Sequence, residues 1–115
     1  MDKQIKKKYR EEFENKKLVM GILAIRNRQN GKIFLKATLN AEAWINKAKF
    51  MLKNKQFENT ELQNEWTTFG EDLFIFEMLE VLKVNENTFF DYQKELSKMK
   101  QTVFESLLER KIKHY

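Results

Sequence analysis

Two apolar runs on either side of an Asn-Gly pair constrain this chain more than any other feature. Residues 18–26 (Leu-Val-Met-Gly-Ile-Leu-Ala-Ile-Arg) read as a largely buried strand, and residues 32–38 (Lys-Ile-Phe-Leu-Lys-Ala-Thr) as the strand that returns beside it. Between them lies Asn27-Arg28-Gln29-Asn30-Gly31-Lys32. Asn-Gly is the strongest short-range hairpin signal because both residues tolerate positive φ. The hairpin places two strands; the remaining periodicities place the rest.

From Asp2 to about Lys17 the spacing predicts a helix, since Ile5, Tyr9 and Phe13 recur every fourth residue on one narrow stripe. Asn40 is positioned to cap a helix that runs to about Lys53, with Trp44, Ile45, Ala48 and Leu52 on its apolar side. Thr60-Glu61-Leu62-Gln63 has the spacing of a capping box and opens a short helix stopped by Gly70. Residues 73–82 are apolar on both alternating faces apart from Glu77 and Glu80, which predicts a strand covered on both sides and central in its sheet. Asn87 or Thr88, with a second capping-box spacing from Thr88 to Asp91, predicts a last helix over 87–111. The expected order is α-β-β-α-α-β-α: one α+β domain over residues 1–115, with a three-stranded antiparallel sheet flanked by helices.

Composition narrows the chemistry. The chain has 115 residues, 42% of them hydrophobic, with no cysteine; that length suits one domain with its own core. Without cysteine there is no disulfide, thiolate metal site or cysteine nucleophile. The opening Met-Asp-Lys-Gln and its lysine run do not read as a signal peptide. No apolar run approaches the roughly 20 residues of a membrane span, so a cytoplasmic protein without a membrane partner is expected.

Charge is unevenly distributed. The net charge of +5 comes from 22 Lys+Arg against 17 Asp+Glu. Residues 15–57 are basic, with Arg26, Arg28, Lys32, Lys36, Lys47 and Lys49 among them and Glu42 as their lone acid, whereas residues 58–97 are mainly acidic. A basic hairpin followed by a basic helix suits a polyanion, although lysine-rich faces are often merely solvated. The asymmetry also permits self-association of acidic on basic halves.

Residues Met20-Gly21-Ile22-Leu23-Ala24-Ile25-Arg26 through Lys32-Ile33-Phe34-Leu35-Lys36-Ala37-Thr38 resemble the opening of a GIY-YIG nuclease domain. The helix after Asn40, Asn59–Trp66, Phe69-Gly70-Glu71-Asp72 and Phe76-Glu77-Met78-Leu79-Glu80 extend the resemblance, which covers residues 18–83 and is similar to phage-type and small stand-alone bacterial members. In active members a motif tyrosine activates water, a helix arginine stabilises the phosphate and a glutamate holds one divalent metal. These roles need an ionisable oxygen, a fixed cation and a carboxylate. The resemblance puts the two tyrosines on Leu23 and Phe34, the motif glycine on Lys36, the arginine on Trp44, a phage-type histidine on Phe57, and the metal glutamate near Lys100, with Glu95 or Glu105 as displaced alternatives.

The resemblance therefore implies a catalytically degenerate domain without a cofactor, binding DNA or RNA through Arg26, Arg28, Lys32, Lys36, Lys47 and Lys49, or acting as an adaptor. The alternatives are a divergent Mg²⁺-dependent endonuclease and a protein-interaction or structural domain. A cleft filled by Phe34, Trp44 and Phe57 favours the structural alternative, and an open basic groove favours nucleic-acid binding. Elsewhere, His114 is expected to be frayed and solvated, Glu77 and Glu80 to point to opposite strand faces, and Trp44 and Trp66 to line the core or a groove. One of Phe89 and Phe90 is expected to staple the last helix.

Overall fold

The computed structural model describes residues 19–87 and 89–115; the helix expected over 2–17 lies outside the described residues, as does Thr88. Strand β1 (Met20–Asn27) and strand β2 (Ile33–Thr38) form the antiparallel hairpin. Helices α1 (Ala41–Lys53) and α2 (Thr60–Phe69) follow, then a single 3₁₀ turn (Glu71–Leu73), strand β3 (Phe74–Leu82) and helix α3 (Tyr92–Glu109). The fold is α+β, a three-stranded antiparallel sheet flanked by helices, in the predicted element order over the described residues.

Strand order is β2-β1-β3, which places β1 in the centre and corrects the expectation for residues 73–82. Every residue of β1 except Arg26 is buried, whereas most of β3 is only half-buried. Apolar residues on both faces of β3 thus signal partial cover by helices on either side, not two strand neighbours.

A register shift between Ile22 and Leu23 makes Leu79 an extra residue in β3. Such a bulge breaks strict alternation. Glu80 opposes Ile22 and Glu77 opposes Ala24, so the two glutamates share a face, contrary to the alternation argument. The bulge also accounts for Gly21: a Cβ there would lie 2.9 Å from the Glu80 carbonyl carbon and closer still to its oxygen. Only a residue without a side chain fits that approach.

The hairpin turn is wider than a two-residue Asn-Gly loop. Gly31 takes the positive φ of 75°, and its N–H donates to the Asn27 carbonyl at 2.8 Å. The Asn27 side-chain oxygen accepts from the Gln29 N–H at 2.8 Å and the Asn30 N–H at 3.3 Å. An asparagine that folds its own following residues is a familiar turn device.

The predicted Asn40 cap is present, its side chain accepting from the Ala43 N–H at 3.2 Å. At α2 the capping box does not form. Asn59 caps instead, accepting from the Leu62 N–H at 3.0 Å. Gln63 is released to turn inward, where its amide donates to the Leu52 carbonyl at 3.0 Å and accepts from the Phe57 N–H at 2.9 Å. The last helix starts later than 87, at its cap Asp91, which accepts from the Lys94 N–H at 3.0 Å. Asn85 and Asn87 instead form side-chain turns to Asn87 and Phe89 in the connecting loop. Phe90 packs edge-on to Tyr92 at 5.0 Å, the first helical residue and not the fourth that a hydrophobic staple would meet, and Phe89 is 93% exposed.

Two apolar clusters separate the sheet faces. Ile25, Ala48, Leu52, Phe57, Leu62, Trp66 and Phe74 form one, under α1 and α2. Ile22, Ala24, Ile33, Leu35 and Leu107 form the other, under α3. Residues 113–115 close the end of β2: the Ile33 N–H donates to the Lys113 carbonyl at 3.0 Å, and the Tyr115 N–H donates to the Ile33 carbonyl at 2.9 Å. This pairing holds His114 half-buried, its ring 4.7 Å from Phe104, so the expectation of a frayed, solvated histidine is corrected.

Candidate nucleic-acid interface

Antiparallel pairing brings the motif positions together. Phe34 opposes Ile25 and Lys36 opposes Leu23, so Leu23, Phe34 and Lys36 share the sheet face beneath α1. Leu23 is fully buried. Trp44 on α1 stacks on Phe34 with centroids 6.2 Å apart and planes 9° from parallel. Phe57, in the connection to α2, meets Phe34 edge-on at 5.3 Å and Trp44 at 6.3 Å. Each such aromatic pair contributes about 0.5–1.5 kcal/mol beyond its buried area, which makes a stiff three-ring wall.

The wall does not close the surface. A cavity of about 490 Å³ opens beside it, between β2, the first turns of α1 and the first turns of α3; Lys36, Thr38, Trp44, Lys47, Gln93 and Ser97 are among its lining residues. A smaller recess of about 150 Å³ shares Lys36, Trp44 and Lys47 and is bordered by Phe57 and Glu58. Both features anticipated for the cleft are therefore present: packed rings and a basic opening next to them.

Lys100 does not join the other motif positions, being exposed on α3, whose Met99, Val103 and Phe104 pack on the opposite sheet face. The α3 residues that do reach the cavity are Gln93, Leu96 and Ser97. Glu95 lies 3.7 Å from Lys98, and Glu105 accepts from Gln101 at 3.0 Å. The divalent metal of active GIY-YIG nucleases needs oxygen donors gathered at one point. Among the described residues no three His, Asp or Glu are so gathered, and Glu58 is the single carboxylate bordering either opening.

The six basic residues are dispersed. Lys36 and Lys47 line the cavity. The Lys49 ammonium sits 5.3 Å from the Phe76 ring centroid, and Arg28 donates to the Asp72 carbonyl at 3.3 Å. Arg26 lies on the other sheet face and pairs with Glu77 at 2.9 Å. Lys32 pairs with Glu61 and stands 5.0 Å from the Tyr115 ring centroid.

Sequence reasoning missed a polar cluster at the hairpin end. Asn27, only 2% exposed, donates to Tyr115 Oη at 3.1 Å and to Glu65 at 3.2 Å, and the Tyr115 hydroxyl itself donates to Glu65. Burial and the Glu65 carboxylate push the Tyr115 phenol up to about 12, so this tyrosine is a hydrogen-bonding anchor and no base near neutral pH. An asparagine ending an otherwise apolar strand was the available signal, but its partners lie 38 and 88 residues away.

No protein-family model and no curated protein matches the sequence. Solved structures do. A variant of the catalytic domain of the intron endonuclease I-TevI superposes with a TM-score of 0.67 at 15% identity, covering 85% of this chain and 93% of that one. The fold is GIY-YIG-like. A second structure, the catalytic domain of the homing endonuclease I-TevI, gives 0.62 at 17% identity over 76% of this chain and 87% of that one. The GIY-YIG-like fold thus stands on three-dimensional likeness, and the assignment agrees with the resemblance carried by residues 18–83. Among the described residues no helix is long and apolar enough to cross a membrane.

Proposed function

We propose that this chain is a catalytically degenerate GIY-YIG-like domain that binds nucleic acid without cutting it. The reading is carried by one observation: Phe34, Trp44 and Phe57, positions to which the resemblance assigns catalytic side chains, pack on one another on the sheet face that Leu23 shares, while Lys36 and Lys47 border an open cavity beside them. Leucine and phenylalanine have no proton to exchange, and tryptophan does not neutralise a developing phosphoryl charge. Lysines bordering a cavity that has no carboxylate in its lining still attract a phosphate backbone. Lys36 and Lys47 are the principal contacts in this reading; Arg28 and Lys49, which lie toward β3, and Arg26 and Lys32, each paired with a glutamate, contribute less.

The packing of the three rings on one another also supports a second reading, a structural or protein-interaction domain in which the cleft has become core. One assay separates the two. Fluorescent DNA and RNA are titrated with the protein at low salt and again at rising salt, and plasmid is incubated with Mg²⁺ or Mn²⁺. Association that falls steeply with salt, drops several-fold in Lys36→Ala and Lys47→Ala, and leaves plasmid intact supports nucleic-acid binding. Absence of association with either nucleic acid at low salt favours the second reading. Cleavage that disappears in Glu95→Ala or Glu105→Ala overturns both in favour of a divergent enzyme.

A further inference from the structure

We infer that the larger cavity accepts an unpaired nucleotide, so that the preferred ligand is single-stranded nucleic acid; this rests on the nucleic-acid reading above and specifies its substrate class. At about 490 Å³ the cavity falls within the 300–1,000 Å³ range of small-molecule pockets, ample for one base with its sugar. Its wall carries three kinds of group that together match a nucleotide. Trp44 supplies an aromatic surface, packed against Phe34 and Phe57. Gln93 and Ser97 on α3 supply an amide and a hydroxyl able to bond base edges. Lys36 and Lys47 supply positive charge, and no carboxylate lines this cavity to cancel it.

The recess also discriminates by shape. In a duplex each base has both faces stacked on its neighbours, so Trp44, set between β2, α1 and α3, meets only a base that has left the stack. Stacking of a base on an aromatic ring tolerates any base, and proteins that track single strands combine it with a basic groove. A duplex reaches only the lysines at the rim, through its phosphates.

The test compares four probes at one low salt concentration: a single-stranded 12-nucleotide DNA, its RNA counterpart, the same DNA with abasic sites, and the corresponding duplex. A mononucleotide is run as a fifth arm. Binding is read by anisotropy and by quenching of tryptophan fluorescence. The expected result is single-strand binding about tenfold tighter than duplex or abasic binding, as one or two stacked bases would give. Because Trp44→Ala removes part of the core, Ser97→Phe is the decisive variant: it narrows the cavity from an exposed position on α3 and should abolish the single-strand preference. Equal affinity for single strand and duplex, or a preference that survives Ser97→Phe, overturns the inference and leaves the nucleic-acid reading standing. Saturation by the mononucleotide with no gain from the longer strand also overturns it. Absence of binding to every probe overturns that reading itself.

Discussion

The two faces of the sheet are finished differently. One is covered by a single long helix, α3, over an aliphatic cluster of Ile22, Ala24, Ile33, Leu35 and Leu107. The other is roofed by two shorter helices over rings, with Phe57, Trp66 and Phe74 in the cluster and Phe34, Trp44 and Phe76 packed against it. Beside those rings the cavity and its lysines are found. The cavity opens where the ring-roofed layer meets the first turns of α3 at the β2 edge.

The largest expected effects compare the two faces directly. Phe57→Ala should cost about 3–5 kcal/mol and Leu107→Ala about 2–5 kcal/mol of stability, both read from urea unfolding. Phe57 is 7% exposed and touches two rings, and Leu107 is 5% exposed. Should Phe57→Ala prove much milder than Leu107→Ala, the ring wall would be lining more than core, and the contrast between the faces would fail.

A smaller effect sits at one end of each covering layer. Lys55 after α1 and Lys111 after α3 both adopt φ of 59°, the left-handed region where a Cβ is crowded. Each closes its helix with the bond pattern glycine usually makes, Gln56 N–H to the Met51 carbonyl and Ile112 N–H to the Leu107 carbonyl. Lys55→Gly and Lys111→Gly should each raise stability by roughly 0.5–1 kcal/mol. Equal gains in thermal melts would show that these ends are independent of the face they close; unequal gains would sharpen the distinction.

The finest probe uses two adjacent residues that serve opposite faces. His114 packs on Phe104 of α3, and its Nε2 is buried with no hydrogen-bond partner among the described residues. Burial lowers its pKa, so the unfolded chain takes up the proton first and stability is lost as pH falls below about 6.5. Tyr115 anchors the α2 side, and its pKa is raised from 10.0 to about 12. The unfolded chain therefore loses that proton first, and stability declines as pH rises from 10 toward 12. Melts across pH should lose the acid decline in His114→Leu and the alkaline decline in Tyr115→Phe, each leaving the other intact. The histidine ring signals in NMR provide a direct reading of the first.

Much of the architecture was legible because its causes are local. Asn30-Gly31, the Asn40 cap and the Gly70 stop act within a few residues, and each appears where the sequence places it. The edge position of β3, the face shared by Glu77 and Glu80, and the inward turn of Gln63 were not legible. All three depend on partners distant in the chain: β1 across the bulge for the first two, and Leu52 and Phe57 for Gln63. The site was half legible. Aligned motif positions foretold Leu23, Phe34, Lys36, Trp44 and Phe57 as one group, but Lys100 lies apart and Arg26 and Lys32 are tied up by carboxylates that nothing in their own surroundings announces.

By itself the sequence determined the strands and the helices, since hydropathy period and caps belong to single residues and near neighbours. Tertiary structure decided which strand is central, which cations remain available and that a cavity stands beside the rings. Those outcomes come from residues tens of positions apart competing for the same space and the same charges, and that competition is resolved only when the chain has packed.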